Sequence, residues 1–269
     1  LLLFSCKKES DQVAITVRVS NINEPEGKSN TAIDSATAIK TLTIAFFRQS
    51  DHSSVLQQTQ YRATATTDST TFGVFDLLLP AGAYDMYVIG YSSTTAATVN
   101  AYNSVAFASP TMVFLAHQTI SVTSSGNSNI GATLERISAQ LLVKTTDNIP
   151  TGAAYIRFTF TGGGTTINPN TGLTTTNTGC VGTVTIPADS AGRHPNVGYN
   201  LLLYSDEQTM NVTADVLDAN NNVIISKTFL NLPFKRNRKT VLTGALYHQA
   251  SETGFTVDLD WEDDYTQNF

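Results

Sequence analysis

Cysteine is almost absent from this chain: Cys6 and Cys180 are the only two in 269 residues. No disulfide framework can be built from them. Charge is scarce too, at 14% of residues, which excludes a coiled coil with charged flanks. Basic residues are outnumbered, 16 Lys and Arg against 22 Asp and Glu, for a net charge of −6. A nucleic-acid partner would need a basic face to displace counterions, so none is expected. No stretch approaches the ~20 apolar residues that span a bilayer. What the chain has is 40 Thr, 22 Ser and 20 Asn, together about three residues in ten. The hydrophobic share of 41% is ample for a core and argues against global disorder. A Thr-rich, charge-poor chain of this kind has the composition of an extracellular all-β protein.

Strand patterns run nearly throughout. Val13, Ile15, Val17 and Val19 alternate with polar residues, as do Leu42, Ile44 and Phe46. Strands are predicted over 72–79 and 84–91, with Pro80-Ala81-Gly82 reversing the chain between them. A loop-rich stretch follows over 92–117, then a strand over 119–123. Ser124-Ser125-Gly126-Asn127-Ser128-Asn129 is the most linker-like segment. The pattern restarts over 137–143, 155–160, 182–186, 200–204, 211–217, 222–229, 240–246 and 255–261. One short helical turn is the reading for 130–135. Leu79-Pro80 and Leu232-Pro233 form a weak internal echo, each ending a strand. This spacing predicts two tandem antiparallel β-sandwiches, over 13–129 and 130–269, behind a leader and tether over 1–12.

The N-terminus sets the expected compartment. Leu1-Leu2-Leu3-Phe4-Ser5-Cys6 resembles the end of a bacterial lipoprotein signal peptide, with Phe4 where a small residue is commoner. In that reading Cys6 is the lipidation site. Each buried methylene contributes about 0.8 kcal/mol, so several acyl chains together hold firmly where one holds marginally. The polar run from Lys7 to Gln12 then acts as a tether. Cys180 is expected to be a small strand residue.

Four segments resemble the fimbrillin superfamily of Bacteroidales, the subunits and anchors of type V pili. They are Leu79-Pro80-Ala81-Gly82-Ala83-Tyr84, like the family's LPAG-x-Y hairpin, and Leu134-Glu135-Arg136-Ile137-Ser138-Ala139-Gln140-Leu141. The third is the Ile167-Asn168-Pro169-Asn170-Thr171-Gly172 turn. The fourth, the strongest match, runs Asn231-Leu232-Pro233-Phe234-Lys235-Arg236-Asn237-Arg238-Lys239-Thr240. The resemblance implies transthyretin-like sandwiches and assembly with other fimbrial subunits by strand exchange. A neighbour's strand completes an unpaired sheet edge while its alternate side chains fill pockets. With the lipoprotein start, it points to a minor subunit at the outer membrane, an anchor or a tip component. Shaft subunits of the family are cut at a basic residue. Arg48, Arg62 and Arg136 are the arginines in or near the corresponding half of the chain.

Nothing in the sequence marks a catalytic set or a cofactor site. His52, His117, His194 and His248 are scattered, without the spacing of a metal motif. No G-x-S-x-G elbow occurs. Gly162-Gly163-Gly164 opens no helix and is taken as a flexible hairpin tip. Asp218-Ala219-Asn220-Asn221-Asn222 starts like a calcium loop, but Val223 and Phe229 replace its Gly and Glu, so a hairpin turn is expected. The tail residues Asp258, Asp260, Glu262, Asp263 and Asp264 form an acidic cluster. Lys235, Arg236, Arg238 and Lys239 form a basic knot expected to guard an edge or pair with that tail. Asp34-Ser35-Ala36, Asp68-Ser69-Thr70 and Asp189-Ser190-Ala191 resemble an O-glycosylation motif, in about the number that composition gives by chance.

The expected function is therefore structural, a lipid-anchored minor fimbrial subunit that catalyses no reaction. The alternative is a surface glycan-binding lipoprotein of a polysaccharide-utilisation system. That role needs exposed aromatic platforms, for which Tyr87, Tyr91, Tyr102 and Tyr265 are the candidates. A host protein or glycan would be a further partner of either.

Overall fold

The computed structural model describes residues 12–23, 39–62, 72–124, 128–187, 192, 196–248 and 256–262. Cys6 and its tether, the three Asp-Ser triplets, His194, Asp263, Asp264 and Tyr265 lie outside them. Among the described residues the chain forms nineteen strands and no helix. The first nine are β1 (Gln12–Asn23), β2 (Thr41–Arg48), β3 (Ser54–Tyr61), β4 (Val74–Pro80), β5 (Gly82–Tyr91), β6 (Thr98–Ala101), β7 (Ser104–Ala106), β8 (Val113–Val122) and β9 (Ser128–Arg136). Then come β10 (Ala139–Thr145), β11 (Tyr155–Phe160), β12 (Thr166–Asn168), β13 (Leu173–Thr174) and β14 (Cys180–Thr185). The last are β15 (Asn196–Leu201), β16 (Glu207–Leu217), β17 (Val223–Lys235), β18 (Lys239–Gly244) and β19 (Thr256–Glu262). The all-β sandwich architecture read from the strand spacing is the one observed.

The N-terminal half is one seven-stranded sheet in the order β3-β2-β5-β8-β9-β1-β4. It cannot be flat. β4 lies at one edge and β5 sits third from the other, yet Ala81 alone links them. The sheet therefore folds over, with β3-β2-β5-β8 in one layer and β9-β1-β4 in the other. The bend falls at β8 and β9, which share only the pairs Phe114↔Arg136 and Leu115↔Glu135. Between the layers lies a core of Val13, Ile15, Val17, Leu42, Ile44, Phe46, Phe75, Leu77, Leu79, Met86 and Val88. Pro80-Ala81-Gly82 is thus an arch between layers and not a hairpin of paired strands. The Tyr84 hydroxyl closes it by donating to the Pro80 carbonyl at 2.7 Å. Residues 130–135 are strand in β9, not a helical turn, because their backbone pairs with β1 in parallel.

Strand β2 is buried on both faces from Thr41 to Phe47. Its even-numbered apolar residues enter the first core. Ala45 and Phe47 join Tyr87, Ile89, Tyr91, Val105, Ile137, Ile167 and Leu202 in a second core on the outer face. A small sheet in the order β13-β12-β7-β6 covers that face, drawing strands from both halves of the chain. Strands β6 and β7 lie in the stretch predicted to be loop.

The C-terminal half is a sandwich of two four-stranded sheets, β15-β10-β18-β19 and β14-β11-β16-β17. Ile156, Phe158 and Phe160 enter its core beside Leu141, Val143, Tyr199, Val212, Phe234 and Leu242. Among the described residues two pairings are parallel, β1 with β9 and β10 with β18, one in each half. Leu232-Pro233 lies inside β17 and does not end it. The internal echo survives in another form. Past β17 the chain crosses between the sheets, and Thr240 Oγ1 donates to the Pro233 carbonyl at 2.5 Å, as Tyr84 does to Pro80.

Candidate assembly surface and joint

The site that the sequence points to begins with β1, the first described element after Cys6. β1 completes the second layer between β9, parallel, and β4, antiparallel, over Gln12↔Pro80 to Arg18↔Val74. Val13, Ile15 and Val17 are buried, Ile15 at 1% and Val17 at 0% exposure. One strand thereby satisfies two ladders and plugs the core. Its N-terminal end lies at the pole formed by Pro80, Gly82, Val122 and Ser128. Five residues separate Cys6 from Gln12, a reach of roughly 20 Å at full extension.

Three of the four resemblance segments meet where the two halves join. Asn170 Oδ1 accepts the Tyr87 hydroxyl at 2.7 Å. Arg236 donates to the Thr171 carbonyl at 2.8 Å and sits 3.1 Å from Asp206. The Arg136 guanidinium lies over the Phe114 ring, the Ile137 N–H donates to the Val113 carbonyl, and the Val113 N–H donates to Ser138 Oγ. The motifs are therefore a joint and two arches, positions that specify a fold.

The other candidates fall as follows. Tyr87 and Tyr91 are fully buried, contrary to the expectation of exposed platforms, because the small sheet covers them. Tyr102 is half-buried with the His52 ring stacked on it at 3.9 Å. His117 Nε2 lies 3.5 Å from Asp85, and His248 Nδ1 lies 2.9 Å from Asp147. Among the described residues no group of three or more His, Cys, Asp or Glu is placed to hold a metal ion. Asp218 makes the expected hairpin turn, accepting from Asn220 and Asn222 N–H at 2.8 Å with Asn221 at φ 65°. Those bonds, led by the Asn222 side chain, hold its carboxyl below the usual range.

Gly162-Gly163-Gly164 is buried and packed on the Leu202 backbone, so it is no flexible tip. Of the basic knot, Lys235 pairs with Glu207 at 2.5 Å and Arg236 with Asp206 at 3.1 Å, beside the start of β16, while Lys239 stands opposite Glu262 of the acidic tail in the β18–β19 ladder. Cys180 is a buried strand residue, its thiol pKa pushed up to about 11 by burial. Arg48 ends β2, Arg62 follows β3 with its guanidinium over Phe72, and Arg136 ends β9.

Asp147 was invisible to sequence reasoning, since its partners lie about a hundred residues away. Its buried carboxylate accepts the N–H groups of Leu246, Tyr247 and His248 at 2.6–2.8 Å and binds the His248 ring. It thereby pins the segment that leaves β18 toward β19. Burial alone would raise its pKa, but these bonds outweigh it and hold the group below the usual carboxylate range. A depressed carboxyl pKa contributes stability above the unfolded value, which is lost as pH falls through the folded one. Asp147→Asn is expected to lower stability by about 2 kcal/mol at neutral pH, with the gap from the parent closing toward pH ~2. Urea midpoints at both pH values check this, and parent and variant melting alike at neutral pH would refute it.

A model of a family described as a family of unknown function (DUF6562) matches residues 7–269. No curated protein matches the chain. Among solved structures, a candidate adhesin from Bacteroides ovatus aligns at 10% identity and TM-score 0.54, covering 94% of this chain and 97% of that one. A candidate polysaccharide-binding protein (DUF1812) from Bacteroides thetaiotaomicron aligns at 8% and 0.54, covering 96% and 100%. The fimbrial anchor protein Mfa2 from Porphyromonas gingivalis aligns at 9% and 0.45, covering 92% and 95%. The resemblance to fimbrillin-like proteins of Bacteroidales holds at the level of the fold.

Proposed function

The chain belongs to the DUF6562 family, and we propose that it is a minor fimbrial subunit held at the outer membrane by lipid on Cys6. On this reading it catalyses no reaction and binds other fimbrial subunits by strand complementation. The two sandwiches, expected over 13–129 and 130–269 with the boundary moved past β9 because β9 pairs with β8 and β1, form the body that projects from the membrane. The observation that carries the reading is β1. It starts six residues after Cys6 and fills a slot between two ladders with alternate aliphatic side chains. A lipid at Cys6 keeps the Pro80–Ser128 pole within roughly 20 Å of the bilayer, with the C-terminal sandwich pointing away. The bonded joint then transmits load between the halves without a hinge.

The burial of Tyr87 and Tyr91 removes two of the aromatic faces that the glycan-binding alternative relies on. Two measurements test the proposal. Radiolabelled palmitate is expected to enter the parent protein and not Cys6→Ala, and equal labelling of both would remove the anchor. Deletion of the gene is expected to alter the number or length of surface pili, and unchanged pili would remove the fimbrial role.

A further inference from the structure

Natural sheet edges are normally guarded against pairing with another chain by charge, proline, bulges or a covering segment. Most described edges here follow the rule. β4 carries Asp76 and ends in Pro80. β17 carries Lys227, Pro233 and Lys235. β19 carries Asp258, Asp260 and Glu262. β14 and β15 face one another at a corner of the C-terminal sandwich, the Tyr199 hydroxyl 3.5 Å from the Val181 carbonyl. β6 and β13 are four and two residues long.

Among the described edges β3 is the exception in charge and proline. Its eight residues, Ser-Val-Leu-Gln-Gln-Thr-Gln-Tyr, hold neither, and its one bulge, at Val55, lies at the end next to the turn from β2. From Leu56 to Tyr61 they pair with β2 in unbroken register, Phe46↔Leu56 to Thr41↔Tyr61. The Arg62 N–H donates to the Lys40 carbonyl at 2.8 Å. Past the bulge at Val55 the even-numbered residues bond to β2, so Gln57, Thr59 and Tyr61 direct their N–H and C=O groups outward. Gln57 and Gln58 are exposed, and Tyr61 is 56% exposed although it is a large apolar residue. The Gln60 amide bonds the backbone of Gly73 and Val74 across the layers and ties β3 in place.

We propose that β3 pairs with β3 of a second copy of this chain, antiparallel about a two-fold axis through Gln58. This register suits the strand. Gln57 faces Thr59, and both are residues whose backbone groups point outward, so they make a hydrogen-bonded pair on each side of the axis. Gln with Thr can bond through side chains. Gln58 meets its own copy in the close, non-hydrogen-bonded pair, Cα atoms about 4.5 Å apart. A charged strand would oppose itself in such a contact, and this one has nothing to repel. The inference is independent of the lipid anchor and of the fimbrial role.

Sedimentation equilibrium of the purified chain tests it. The parent is expected to approach twice its 28.9 kDa mass as concentration rises. Gln58→Lys and Gln58→Glu each place like charges face to face in the dimer at a position exposed in the monomer. Each is expected to weaken association by about tenfold or more. Mixing the two variants is expected to restore the dimer. Gln57→Pro removes an outward N–H while sparing the ladder to β2, and is expected to be monomeric with its melting temperature little changed. A parent that stays monomeric, single-charge variants that still dimerise, or a mixture that fails to pair would each overturn the proposal. Capture of β3 by a strand of some other protein, with no self-association, counts among those overturning results.

Discussion

Deletion of residues 1–23 is expected to abolish the cooperative melting of the N-terminal sandwich and leave the C-terminal one folded. The deletion removes β1, and with it Val13, Ile15 and Val17 from the first core. Each such side chain contributes roughly 1.5–3 kcal/mol, so the loss approaches about 5 kcal/mol or more. That is of the order of a whole domain's stability. The facing backbone groups of β9 and β4 also lose their partners, which adds to the cost. The C-terminal core contains no residue of β1 and should keep its own transition. Calorimetry of the truncated chain, alone and with a peptide covering residues 12–23, is the measurement. Return of the lost transition with peptide means that the slot accepts a strand in trans, which the proposed mode of assembly requires. A truncated chain that melts like the parent would show that β1 is dispensable.

Gly163→Ala is expected to destabilise the C-terminal sandwich by about 3 kcal/mol or more. Gly163 has φ of 76°, a left-handed conformation that costs an L-residue about 1–2 kcal/mol. A Cβ there would also stand 2.4 Å from the Leu202 carbonyl oxygen, so backbone must move. Gly152 supplies the control. Its φ is 89°, and nothing lies within 4 Å of a Cβ built on it. Gly152→Ala should therefore cost only the backbone conformation, about 1 kcal/mol. Denaturant midpoints separate the two effects. Equal losses would mean that the Leu202 strand yields freely, against the close packing read from the glycine run.

The two glycines also show how far the sequence could be followed. Gly162-Gly163-Gly164 reads as a loose tip because three glycines lower local stiffness, and nothing nearby in sequence announces Leu202. Tyr87 and Tyr91 read as half-exposed because β5 alternates, yet the small sheet of β6, β7, β12 and β13 closes over its second face. β3 escaped prediction for the opposite reason. As an edge strand it buries little on either face, so Gln57-Gln58-Thr59-Gln60 shows no alternation of apolar and polar residues. The Asp218 turn was legible because an Asx turn bonds only within a few residues of itself. The Asp147 clamp was illegible because its donors arrive from the far end of the C-terminal unit.

By itself the sequence determined the all-β class, the strand faces of β1 and β11, and the positions of the Asp218 turn and the Pro80 reversal. Each rests on contacts within a few residues, where side-chain period and turn chemistry act directly. Only the tertiary structure decided that the Pro80 reversal is an arch between layers, that three motif segments build one joint, and that β3 lies at the edge of its sheet among the described strands. Those outcomes depend on which strands become neighbours, and pairing partners are chosen by burial summed over the whole core, which no local stretch of residues encodes.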